Sequence, residues 1–149
     1  MAGTGPSLQA RAIRYLARRE YSRAELEKKL FPYARAPDEL VFVLDSLEQT
    51  GFISAQRVVG QVVHVRRKRY GSRRITQELR EKGIDEELIA AVLPELRETE
   101  LEAAREVWRK KFDAIPADAR ERGRQVRFML GRGFGMETIN KILTDKEGF

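Results

Sequence analysis

One run of eleven residues, "HVRRKRYGSRR" from His64 to Arg74, concentrates the side chains best suited to meet an anion: Arg66, Arg67, Lys68, Arg69, Arg73 and Arg74, with no acid among them. A guanidinium offers a planar fork that grips a phosphate or carboxylate at two points, and an ammonium adds a point charge. The chemistry on offer is anion binding, to a nucleic acid or an acidic protein surface. Two further basic sets follow. Arg109, Lys110 and Lys111 are consecutive; Arg124 and Arg127 continue from Arg120 at i, i+4, i+7, with Arg132 beyond them. For each set the plain alternative is a solvated helix face.

Bond-making chemistry finds no foothold. The single histidine, His64, stands amid arginines on the polar side of a helical pattern, a solvent position and not that of a general base. There is no cysteine and no clustered His/Asp/Glu set, so neither thiolate nor metal catalysis has a basis. "GRGFG", Gly131 to Gly135, lacks the Lys-Ser/Thr of a phosphate-binding P-loop and reads as a helix C-cap and turn. Trp108 and Phe112, at i, i+4, read as a core pair, and Tyr21 and Tyr70 as packing anchors. The expectation is a protein that is not an enzyme and uses no cofactor or metal.

Composition agrees. With 29 basic and 23 acidic residues the net charge is +6 and the pI about 9.8, which favours anionic partners. Absence of cysteine suits a reducing cytoplasm. No apolar run approaches the roughly 20 residues of a membrane span, and the N-terminus has no basic start followed by an apolar stretch. Neither membrane insertion nor export is expected.

The elements that must carry these charges are helices, since apolar residues recur at helical spacing and strand-type alternation is absent. Leu8, Ala12, Tyr15 and Leu16 form a first stripe; Ser22 and Glu25 make a capping box opening a helix with Leu26 and Leu30; Pro32 ends it. A third helix opens at Pro37/Asp38, buries Leu40, Val43, Leu44 and Leu47, and stops at Gly51. The layout then returns. Tyr21/Tyr70, Leu26/Ile75, Leu30/Leu79, Leu40/Ile89, Val43/Val92, Leu44/Leu93 and Leu47/Leu96 all differ by 49. In the second copy Ser54 caps a valine-rich helix, Gly71-Ser72 breaks it, Gly83 ends the next, Asp85 caps a third, and Pro94 is expected to end or kink that one. A third copy opens at a Thr99/Glu102 capping box and repeats Lys82-Gly83-Ile84 as Arg132-Gly133-Phe134, 50 residues on.

The expected architecture is all-α: a tail over 1–7, then three tandem three-helix, helix-turn-helix-like repeats over 8–53, 54–98 and 99–149. Adjacent units should stack, lending each other core, into an elongated, curved, monomeric body. Charge alternates in phase with the repeat. Residues 54–84 hold nine basic and two acidic side chains, residues 85–102 one basic and seven acidic. Stacked in register, such units present a basic strip along one side.

With these residues laid out, the chain resembles the RecX family, through "AIRYLARREYSRAELEKKL", "LDSLEQTGFIS", "RYGSRRITQELREKGI" and "GRQVRFMLGRGFGMETINKIL", which span nearly the whole chain past residue 7. The resemblance implies a cytoplasmic regulator that binds the RecA recombinase and its single-stranded DNA filament. It implies suppression of ATP hydrolysis, strand exchange and co-protease activity, and so a role in recombinational DNA repair and the SOS response. Weak, non-specific binding of free DNA would accompany this. Arg66, Arg67, Arg73, Arg74 and Arg127 are the favoured contacts. A direct DNA-binding regulator of helix-turn-helix type is the main alternative, although its acidic third helices would repel phosphate; a structural repeat scaffold is another.

Overall fold

A computed structural model describes residues 5–144 of the chain. Most of the expected tail and the last five residues of the third unit lie outside that range. Among the described residues every regular element is helical: α1 (Leu8–Leu16), α2 (Arg23–Leu30), a 3-10 turn (Phe31–Tyr33), α3 (Pro37–Gln49), α4 (Ala55–Arg66), α5 (Ser72–Glu81), α6 (Glu86–Lys111), α7 (Ala119–Gly131) and α8 (Met136–Thr144).

Local chemistry sets most of these boundaries. The Ser22 hydroxyl accepts from the Glu25 N–H at 3.1 Å while Glu25 accepts from the Ser22 N–H at 3.0 Å, completing the capping box. Ser54 and Asp118 likewise accept from the N–H groups of Arg57 and Glu121. Gly51, Gly83 and Gly133 hold the positive φ that closes α3, α5 and α7. Asp85, read as a side-chain cap, makes no such bond and serves α6 by position alone.

The largest departure from expectation is α6. Pro94 neither ends it nor does Thr99 open a new helix; the chain stays helical for 26 residues from Glu86 to Lys111. Pro94 and Ala90, whose carbonyl loses its partner, are both exposed, so water can serve that carbonyl. Ile89 before the proline and Leu96 just after it are buried, as are Ala104, Val107 and Trp108 further along. Burial of that stripe outweighs the missing bond. The Thr99 hydroxyl donates instead to the Glu95 carbonyl at 3.0 Å. One helix thus serves as third helix of the middle unit and first of the last, and the division between residues 98 and 99 falls inside it.

Stacking also differs from the shared core that was expected. Three separate apolar clusters form, around Leu26, Leu30, Leu44 and Leu47 in the first unit, Val58, Ile75, Leu79 and Ile89 in the second, and Trp108, Met129, Phe134 and Ile139 in the third.

The units meet through a joint used twice. At the first joint the turn after α5 docks on the start of α2: Ser22 Oγ donates to the Lys82 carbonyl at 2.6 Å, and a Cβ on Gly83 would lie 2.9 Å from the Ala24 Cβ. At the second, the turn after α7 docks on the start of α5. Gly71 N–H donates to the Arg132 carbonyl at 2.7 Å and Arg73 N–H to the Gly133 carbonyl at 3.2 Å. Side chains are sterically shut out here, since a Cβ on Gly71 would lie 2.4 Å from the Gly133 oxygen and one on Gly133 2.5 Å from the Arg74 Cβ. "GRGFG" is therefore a turn that seats one unit on the next.

Candidate functional site

The basic residues picked out by spacing separate into groups once folded. α4 ends at Arg66, so the rest of the cationic run leaves the helix, and Arg67 turns inward where a continuous helix would have placed Arg66 beside the core. Arg67 donates to Glu100 at 2.7 Å, the Leu96 carbonyl at 2.6 Å and Thr99 Oγ1 at 2.9 Å. Both side chains of this pair are mostly buried, at 16% and 12% exposure. Glu100 also accepts from the Ser72 N–H and hydroxyl, capping α5 from a distance. Arg67 is thereby committed to tying α4, α5 and α6 together.

Other cations have acidic partners on the surface. Arg66 pairs with Glu78 at 2.8 Å, Arg109 with Glu106 at 3.2 Å and Arg124 with Glu121 at 2.9 Å. Arg127 is exposed on α7 with its guanidinium over Gly123. Arg74 donates to the Gly131 carbonyl at 3.1 Å and lies over the Tyr70 ring. His64 is exposed.

Five of the predicted residues converge. Lys68 and Arg69, in the turn after α4, face Lys110 and Lys111 from the last turn of α6 and Arg132 from the end of α7 across a groove of about 600 Å³. No acid lines it; its apolar part is Val107 and Phe128. The Arg132 guanidinium lies 5.0 Å from the Phe128 ring centroid and 5.4 Å from that of Tyr70, and Lys111 lies 5.4 Å over Phe128, so aromatic faces hold the cations without neutralising them. Arg109, Lys110 and Lys111 also complement the negative end of the α6 dipole, which favours cations in that last turn. Lys68, Arg69, Lys110, Lys111 and Arg132 enter no ion pair among the described residues. Such a groove can accept a chain of phosphates without first breaking internal pairs.

The core assignments for aromatics hold. Trp108 and Phe112 are buried with centroids 6.4 Å apart, and the indole N–H donates to the buried Gln125 at 2.9 Å. Tyr21 is buried beneath the Arg19 guanidinium. Two contributors escaped the sequence reading. Glu100 sits mid-helix with no local mark of its capping role. Phe128 follows a basic helical stripe, and only the fold brings it beneath Lys111 and Arg132. Among the described residues no group of three or more His, Cys, Asp or Glu is placed to hold a metal, and no helix is long and apolar enough to cross a membrane.

These features define an all-α protein of three tandem three-helix units joined by one helix and two like turns. Two RecX family models match it, the second three-helix domain over residues 56–93 and the third over residues 98–143. A protein named regulatory protein RecX in Leptothrix cholodnii is 50% identical over 145 residues, covering 96% of this chain and 92% of that one. Its counterpart in Ralstonia nicotianae is 43% identical over 137 residues, with 92% and 86% covered. The crystal structure of RecX from Lactobacillus salivarius superposes with a TM-score of 0.76 at 19% identity, covering 91% of this chain and 92% of that one, a likeness of fold. The chain belongs to the RecX family of regulatory proteins.

Proposed function

We propose that this protein binds the RecA recombinase and its filament on single-stranded DNA in the cytoplasm, and that it inhibits ATP hydrolysis, strand exchange and co-protease activity. The observation that carries the nucleic-acid half of this is the acid-free groove of Lys68, Arg69, Lys110, Lys111 and Arg132. Membership of a family of regulators supports a protein partner. A drawn-out body with such a groove suits a long polymer, because successive units can meet successive repeats of the filament. Arg73, Arg74 and Arg127 remain exposed and can add contacts, whereas Arg67 acts through the fold.

The test is ATP hydrolysis by RecA on single-stranded DNA, with and without this protein. Wild type is expected to suppress turnover. The double substitution Lys68→Glu/Lys110→Glu should need about tenfold more protein for the same suppression, since each reversal replaces an attraction with a repulsion at a phosphate. Five phosphate contacts give a salt slope of roughly −3.5 in log K against log salt for single strands, and the variant should lose about 1.4 of it. Suppression by the variant equal to wild type would remove the groove from the mechanism. No suppression by wild type would remove RecA inhibition itself.

A further inference from the structure

A second groove, of about 790 Å³, is lined by Arg73, Arg74, Glu78, Glu81 and Lys82 of α5 and its following turn, with Leu130 from α7 at one side. Its charges are sorted by position. Arg73, Gln77 and Glu81 stand at i, i+4, i+8, one exposed stripe of α5 with a cation at the start and an anion at the end. At 1.5 Å per residue those ends are about 12 Å apart, too far to neutralise each other. The side chains of Arg73 and Glu81 enter no ion pair among the described residues; Glu81 only accepts from Gln77 at 3.3 Å.

Helix stability does not account for this order. The positive end of a helix dipole lies at its N-terminus, so Arg73 and Arg74 in the first turn and Glu81 in the last oppose it, although Arg80 and the C-cap Lys82 complement it. α2, the same helix of the preceding unit, is arranged the other way, with Glu25 in the first turn and Lys28 and Lys29 in the last. The first turn of α5 has no acid at all, and Glu100 must reach across from α6 to cap it. A charge order that works against its own helix, on an exposed stripe beside a half-exposed Leu130, is suited to something outside the chain.

We propose that this groove is the docking surface for the protein part of the filament, a RecA segment carrying an acidic residue opposite Arg73 and a basic one opposite Glu81. The inference rests on the reading of RecA as partner. Nucleic acid is disfavoured here, because Glu25, Glu78 and Glu81 line the groove and would repel successive phosphates. The molecule then divides its work between two grooves, the acid-free one for phosphates and the charge-sorted one for protein.

The test is the exchange Arg73→Glu/Glu81→Arg, which leaves net charge unchanged and aligns α5 with its dipole, so the variant should melt no lower than wild type. Binding is measured to RecA free of DNA and, separately, to a single-stranded oligonucleotide. The exchange should weaken RecA binding about tenfold or more while oligonucleotide affinity stays within about twofold. Lys68→Glu/Lys110→Glu should show the reverse pattern. RecA binding undiminished by the exchange, or a matching loss of oligonucleotide affinity, overturns the assignment of this groove. Failure of wild type to bind RecA overturns the partner and this docking site together, and is read before any variant is made.

Discussion

Glu100 shows how much one side chain can hold. Its carboxylate neutralises Arg67, caps α5 through the Ser72 N–H and hydroxyl, and stands on α6, so three helices meet at two oxygens. Removing one partner of a mostly buried pair leaves the other charge desolvated and alone. Glu100→Ala should therefore destabilise the protein by about 3 kcal/mol, read from urea unfolding. A loss within the range of an exposed ion pair, below about 1 kcal/mol, would show that Arg67 finds solvent instead. Arg67 also explains why counting cations overstates a binding surface: of the six in the opening run, one is buried in this pair and Arg66 is held by Glu78.

Among the elements, α6 is where local preference and packing conflict. A proline inside a helix removes a backbone donor and crowds the preceding turn. The helix persists because its apolar stripe is buried on both sides, against the middle unit at Ile89 and Leu96 and the last unit at Ala104, Val107 and Trp108. Pro94→Ala should restore the bond to the Ala90 carbonyl; part of that gain is offset because alanine frees the unfolded chain. The expected net gain is about 1 kcal/mol, or roughly 2–4 °C in Tm for a chain of this size. An unchanged or lower melting temperature would mean that α6 depends on the bend a proline imposes. α5 presents the complementary case, a helix whose first turn is cationic against its dipole and is capped from outside by Glu100.

At the scale of the molecule the two joints differ in character. The joint between the middle and last units is backbone against backbone at Gly71 and Gly133, reinforced by the shared α6. The joint between the first and middle units is largely ionic. Glu25, paired with Arg19 of its own unit at 2.8 Å, receives Lys82 across the joint at 2.9 Å, while Arg57 reaches back to Glu20 at 2.8 Å. Partial burial of the Glu25 carboxyl works against its ionisation, but hydrogen bonds from Arg19, the Ser22 N–H and Lys82 outweigh it and hold its pKa near 2. A carboxylate whose pKa is depressed by folding stabilises the fold above its unfolded value, and that contribution disappears as pH falls through the folded one. Between about pH 4.5 and 2 the first joint should lose on the order of 1–2 kcal/mol, discounted for solvent screening. Unfolding followed across that range should show a steeper acid loss in wild type than in Glu25→Gln; parallel curves would mean that the joint is not held by this carboxylate.

The sequence by itself determined what is local and periodic. Helical class follows from apolar spacing, helix ends from Ser22, Ser54, Gly51, Gly83 and Gly133, and the repeat from offsets that keep equivalent core positions such as Leu26 and Ile75 in equivalent places. Family membership was legible for the same reason, through motifs whose order survives along the chain. Only the tertiary structure decided which cations stand together. Lys68 and Arg69 meet Lys110, Lys111 and Arg132 from more than 40 residues away because α6 runs unbroken past Pro94 and the "GRGFG" turn seats on Gly71. Those contacts depend on backbone approach and on burial shared between units, and neither leaves a periodic trace in the residues that bear the charge.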